Sequence, residues 1–215
     1  VTIIAGCGIH NDTCDSAEHD GIHTFYVGKN AKVRYVERHY ANGSGTGKKV
    51  FDPITKIYQK ERSCFILEST QLGGVTCTDR KTYASIGKDA TLLVKEKILT
   101  DGEERAVTDF KVNLRGKGSR ADIVSRSVAR GNSFQHFRSD LIGRNECFGH
   151  VECDGIVLES ARIMSTPKID AVSTEASLVH EAAVGKIAGE QLIKLMSLGL
   201  TEQEAENAVI QGFLG

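Results

Sequence analysis

The 215-residue chain sets 27 Lys plus Arg against 28 Asp plus Glu, a net charge of −1 at pH 7, so it lacks the basic excess of a nucleic-acid platform. No apolar run approaches the roughly 18 residues needed to span a membrane, and no charged-then-apolar leader is visible. Six cysteines in a chain of this length are too sparse for a disulfide scaffold and indicate a reducing, cytoplasmic setting with thiols free for packing or metal.

The chain opens at Val1, without Met and in what reads as mid-strand, as a fragment of a longer protein would. Cys7, His10, Cys14, His19 and His23 follow, a stretch dense in soft ligands. Four such side chains around Zn²⁺ would be tetrahedral, but the spacings match no standard finger and no Cys-x2-Cys occurs. A Gly/Asp/His loop leading into the first strand unit is the plainer reading. That unit is Ile22–Val27, a turn at Gly28–Ala31, then Lys32–His39 with Val33 and Tyr35 alternating against Lys32 and Arg34. It recurs around Gly87–Ala90 and Arg115–Arg120, begins again at Gly143, and has a weaker copy at Gln59–Arg62. The turns fall about 27 to 32 residues apart, the mark of a solenoid or stacked repeat. An antiparallel sandwich also accommodates many short strands.

Residues 41–49, Ala-Asn-Gly-Ser-Gly-Thr-Gly-Lys-Lys, read as a flexible, exposed loop. A phosphate-binding loop is excluded, because Asn42 replaces its first Gly, Lys49 replaces its Ser or Thr, and Pro53 forbids the helix that should follow. Cys147-Phe-Gly-His150-Val-Glu-Cys153-Asp154 is the next candidate site. On an unbroken strand Cys147 and Cys153 share one face and His150 takes the other, so a common metal would require a bend at Gly149. Cys153 also suits a small buried thiol lining the core.

His180-Glu181 sits where the pattern changes from strand to helix. An imidazole beside a carboxylate at the edge of a β core can bind iron, and it equally suits a histidine that caps the core. The segment from about 188 to 214 reads as two short helices, with Leu192, Leu195, Met196 and then Ala205, Ala208, Val209 at helical spacing. Gly199 closes the first, and Thr201 with Glu204 forms a capping box for the second. Their apolar stripe, Leu192, Leu195, Met196, Val209, Ile210 and Phe213, is the expected protein interface, though helices this short must pack most of it on the core.

The run His180-Glu-Ala-Ala-Val-Gly-Lys-Ile187, with Glu190-Gln191, Met196-Ser-Leu-Gly-Leu200, Glu204-Ala205 and Gly212-Phe-Leu214, resembles the C-terminal signature of the SufB/SufD family, scaffold components of the Suf iron–sulfur cluster assembly machinery. The resemblance implies a right-handed β-helix over residues 1–180 with a helical subdomain at 181–215. It implies His180, Glu181 and Cys153 as sites for iron or a transiently bound iron–sulfur cluster. It also implies an ABC-type ATPase partner (SufC-like) docking on the helices, and pairing as a homodimer or as a heterodimer with a SufB/SufD-like subunit. The stretch Glu159–Pro167 lacks the further cysteine that the SufB branch carries there, so the chain resembles SufD, or a short prokaryotic homologue, while keeping the His-Glu of SufB. Two other readings stand beside a non-enzymatic scaffold: a structural dimerisation module without cluster chemistry, and a β-helix enzyme acting on polysaccharide. The second needs paired carboxylates, and Asp109, Asp122 and Asp140 fall in different coils.

Overall fold

The computed structural model describes all 215 residues. Alternation of apolar and polar residues produces strands, and turns recur where that alternation breaks, in three of four cases at Gly, Asn or Asp. Gly28–Ala31, Lys60–Ser63, Gly87–Ala90 and Gly116–Ser119 each close with an amide of the fourth residue on the carbonyl of the first. The third residue of each turn, Asn30, Arg62, Asp89 or Gly118, takes a positive φ.

Two parallel sheets result. The larger contains, in spatial order, β1 (Thr2–His10), β4 (Lys32–Asn42), β7 (Cys64–Leu72), β9 (Thr91–Thr100), β11 (Ser119–Ala129), β13 (Cys147–Val157) and β15 (Ala176–Gly185). The other runs β14 (Arg162–Ala171), β12 (Phe134–Gly143), β10 (Arg105–Leu114), β8 (Cys77–Ile86), β5 (Lys49–Phe51), β2 (Ala17–His19), with β3 (Ile22–Val27) and β6 (Ile54–Gln59) paired beside β8. Strands alternate between sheets along the chain, so each coil stacks on the last: Lys32, Cys64, Thr91, Arg120, Phe148 and Ser177 stand in one row. This is a β-helix of the hand that parallel crossovers take, and a sandwich of antiparallel strands is ruled out.

Inward rows form the core. Tyr35, Leu67, Val94, Ile123 and Val151 stack in register and are buried, facing Ala84, Val112 and Leu141 of the second sheet. Each such aliphatic or aromatic side chain contributes about 1.5–3 kcal/mol by leaving water.

The glycine-rich segment departs from expectation. It is stacked rather than loose: the Gly45 amide donates to the Asn11 carbonyl and the Gly47 amide to that of Thr13, each at 3.0 Å. Its glycines permit contact between coils, because a Cβ on Gly47 would lie 1.8 Å from the Asp15 carbonyl oxygen.

After β15 come α1 (Gly189–Ser197) and α2 (Glu202–Leu214). Gly199 between them has φ +99°, and the Thr201–Glu204 capping box forms in both directions. Ile210 and Leu214 of α2 bury against Val128, with Leu99, Ile156, Leu158 and Ile187 around them, while the Arg126 guanidinium lies 5.9 Å above the Phe213 ring. No helix is long and apolar enough to cross a membrane.

Candidate functional site

His180 and Glu181 lie inside β15, and period-two geometry sends them to opposite faces. His180 aligns with the buried Val151 and points into the coil interior; Glu181 aligns with Glu152 and points out. The histidine's Nε2 is buried without a hydrogen-bond partner. Burial, and then the nearby His150, hold its ring below the ordinary histidine range, so it is a neutral imidazole with a free lone pair at neutral pH.

Cys153 shares that inner face one coil earlier, aligned with Ala182 and therefore diagonal to His180. It is 1% exposed, and burial pushes its thiol up to about 11. Strand β13 runs straight through Gly149, so the bend that would unite Cys147, His150 and Cys153 is absent. A side chain at 149 would strike Leu141, Leu178 and Leu114, which makes Gly149 a packing glycine. His150 accordingly faces outward. Of the three expected iron-handling residues, the fold thus brings His180 and Cys153 to one inner surface and leaves Glu181 on the outer one.

The N-terminal soft ligands are dispersed. Cys7 is aligned with His39, His10 bonds outward to Asn42 and Asp12 at 2.7 Å, and Cys14 is exposed in a bend between strands. His19 packs on Phe51, and His23 bonds the Tyr35 hydroxyl at 2.8 Å. Of the carboxylates weighed for polysaccharide chemistry, Asp140 lies 3.8 Å from Lys111 and 3.5 Å from Lys168, and Asp122 is bonded to His150 at 2.8 Å.

The interior holds a charged network that sequence reasoning passed over. Arg80 of β8 crosses the lumen to bond Glu37 and, at 2.7 Å, His39 Nδ1. Because a guanidinium only donates, His39 Nδ1 is the acceptor and its proton sits on Nε2, 3.5 Å from Glu37 Oε1. The Tyr35 hydroxyl donates to the same carboxylate at 3.1 Å. Farther along, Glu96 accepts from Ser125 Oγ at 2.8 Å, while Arg80 Nε is 3.9 Å away and Glu96 Oε1 has no partner. One cation therefore faces two buried carboxyls, and their environments separate them. Burial favours the acid in both. For Glu37, the close approach of His39 and the charge and hydrogen bond of Arg80 override it and hold the carboxyl well below its usual range. For Glu96, burial prevails and raises it. The alternation that places Val33 and Tyr35 inside, continued two and four residues further, would have found Glu37 and His39.

Glu96 carries a pH prediction. With its folded value raised above 4.5, the neutral acid belongs to the native state. Its contribution is complete below the unfolded value and is lost as pH rises through the raised one. Glu96→Gln should therefore flatten the fall in melting temperature on going from about pH 5 to alkaline conditions, as read by thermal denaturation at several pH values. A wild-type slope in the variant would refute the assignment.

The expected interface residues divide by burial. Ile210 is in contact with the core, Leu192, Leu195, Val209 and Phe213 are half-buried, and Met196 is exposed. Ile193 and Leu198, at 67% and 76% exposure, extend the open apolar surface of α1.

A family model described as SUF system FeS cluster assembly, SufBD core domain, matches residues 1–213. An iron–sulfur cluster assembly SufBD family protein of Methanothermobacter thermautotrophicus is 34% identical over 99% of this chain and 51% of its own length. One of Archaeoglobus fulgidus is 35% identical over 100% of this chain and 57% of its own, and one of Methanocaldococcus jannaschii 29% identical over 88% and 60%. The chain thus spans between half and three-fifths of these relatives' length. A stacked parallel coil with two terminal helices, matched from end to end by that core domain, makes this chain a member of the SufBD family of iron–sulfur cluster assembly proteins.

Proposed function

We propose that the chain serves as a non-enzymatic, cytoplasmic scaffold subunit of the Suf machinery, with iron or a nascent iron–sulfur cluster as its transient cargo at His180 and Cys153. The observation that carries this reading is the unpartnered, neutral His180 Nε2 on the same inner face as Cys153, in the last two coils of the rod. Metal binding must deprotonate the Cys153 thiol, which burial opposes, so loading requires the rod's end to open.

That end is suited to pairing with another subunit. Strands β14 and β15 each have one unpaired edge, and Ile169 and Val184 are exposed there, at 42% and 44%. Unpaired parallel edges invite strand addition, which supports a homodimer or a heterodimer with a SufB/SufD-like subunit. The exposed apolar face of α1, Ile193, Met196 and Leu198, supports docking of an ABC-type ATPase, whose cycle would drive the opening.

Anaerobic reconstitution with iron and sulfide tests the cargo site. Wild type is expected to take up iron, His180→Ala to lose most of it, and Cys153→Ser to retain it weakly. Equal, negligible uptake in all three would instead favour a dimerisation module without cluster chemistry. Pulldown with the cognate ATPase, with and without residues 188–215, tests the docking face separately.

A further inference from the structure

Two rows of side chains run side by side along the outer wall of the larger sheet. Arg38, Thr70, Lys97 and Arg126 are register partners on β4, β7, β9 and β11. Two residues further along the same strands, Leu72, Leu99 and Val128 form an apolar row. Alternate residues share a face and neighbouring strands are about 4.8 Å apart, so cations and leucines meet on one strip of surface. Helix α2 covers the Val128 end of the apolar row with Ile210 and Leu214 and leaves Leu72 57% exposed. Wall and helix together enclose a groove of about 600 Å³, with Arg38, Thr70, Leu72 and Lys97 on one side and Ile210 and Leu214 on the other.

The charge of that groove is not balanced from within the chain. Arg38, Lys95, Lys97 and Arg126 have no side-chain carboxylate within 4.0 Å. Glu68, the register partner of Lys95, is bonded instead by Arg34, at 3.0 and 2.7 Å. Glu152 and Asp154 stand on β13, next to Arg126 and beyond the groove. Lys97 and Arg126 donate to the Gly215 and Phe213 carbonyls at the end of α2, which satisfies donors without cancelling the charge. Three cations, Arg38, Lys95 and Lys97, therefore surround an apolar cleft with no anion of the chain among them.

We propose that this groove binds a small organic anion, a phosphate or carboxylate carried on an apolar body. Arg38 and Lys97 take the anionic oxygens, Lys95 adds charge, and Leu72, Leu99 and Leu214 take the body. A guanidinium offers paired N–H donors to such oxygens, and an ammonium offers a compact point charge. The volume lies within the roughly 300–1,000 Å³ of small-molecule sites, and an apolar floor with a few convergent polar groups is what they share. The groove sits on the second to fourth strands of the larger sheet, away from His180 and Cys153 in the last two coils, and does not depend on that pair binding iron.

The probe is anilinonaphthalene sulfonate, an anion on an apolar body, followed by fluorescence titration of the whole chain. Wild type should bind the dye saturably, one per chain, and less tightly as salt is raised. Arg38→Ala should weaken binding by about tenfold or more, the loss of a charge-assisted hydrogen bond. Lys95→Ala and Leu72→Ser should weaken it too, and all three side chains are exposed, so the fold tolerates their loss. Ile193→Ser on the open face of α1 and Lys111→Ala on the other sheet should leave it unchanged. Displacement of the dye by naphthyl phosphate, by decanoate or by both reports which head group the site takes; displacement by neither would overturn the proposal. So would the absence of saturation, an unaltered affinity in folded Arg38→Ala, or binding lost in Ile193→Ser, which would put the dye on α1.

Discussion

Arg80→Ala should lower the unfolding free energy by about 3–5 kcal/mol, the penalty for leaving one partner of a buried ion pair uncompensated. Arg80 is 2% exposed, Glu37 and Glu96 are 0% and 2%, and no water reaches the carboxylate that the guanidinium abandons. The loss exceeds one hydrogen bond because Arg80 serves Glu37, which is ionised, His39, whose tautomer it fixes, and Glu96 at longer range. Chemical denaturation gives the measurement, as a fall in midpoint at constant slope. The double variant Arg80→Met with Glu37→Gln separates charge from packing. Removing both charges should recover most of the loss, since well-packed apolar replacements of buried pairs are often neutral. If single and double variants were equally destabilised, the pair's role would be packing alone. Acid should have a related effect: Glu37, depressed in the fold, stabilises above its unfolded value, and this is lost as pH falls below 4.5 toward the folded value.

Gly47→Ala should cost about 3 kcal/mol, at the upper end of overpacking, because the added methyl meets backbone. Its Cβ would lie 1.8 Å from the oxygen and 2.6 Å from the carbon of the Asp15 carbonyl, and 2.8 Å from Asn11 Nδ2. Flexible side chains can move aside; a carbonyl held in the preceding coil cannot without breaking the Gly45–Asn11 and Gly47–Thr13 bonds. Amide hydrogen exchange at Gly45 and Gly47 should therefore accelerate in the variant, with the midpoint shift measured beside it. Gly28→Ala is the control, since nothing lies within 4 Å of its Cβ, and it should change stability by no more than a few tenths of a kcal/mol. Equal effects at both positions would mean that close approach between coils is not what the glycine provides.

The two predictions fall on features of different legibility. The Gly-Ser-Gly-Thr-Gly run is conspicuous in the sequence, yet its composition indicated a loose loop, because small residues permit both freedom and close contact. Which one holds depends on whether another backbone lies alongside, and here the Asn11–Asp15 backbone does. Arg80 and Glu37 lie 43 residues apart, and nothing local links them. Their meeting depends on how strands of the two sheets face each other across the lumen.

The same distinction runs through the candidate sites. The opposite facing of Cys153 and His150 was readable from strand alternation, and the Thr201–Glu204 box from a three-residue spacing, because both are consequences of local backbone geometry. The division of His180 from Glu181 was readable by the same rule once β15 was known to extend to Gly185, but a helix-like pattern starting nearby hid the strand's length. The row that aligns Arg38, Thr70 and Lys97 was not readable: its members are 32 and 27 residues apart, and a one-residue change in either coil would turn a side chain to the other face.

By itself the sequence determined the repeating strand-and-turn unit, its near-30-residue period and the two capped helices, since each follows from short-range steric and hydrogen-bonding preferences. Only the tertiary structure decided which side chains share the lumen and which share the outer wall, because parallel register between coils is set by the summed length of two strands and two turns, a quantity that no local pattern encodes.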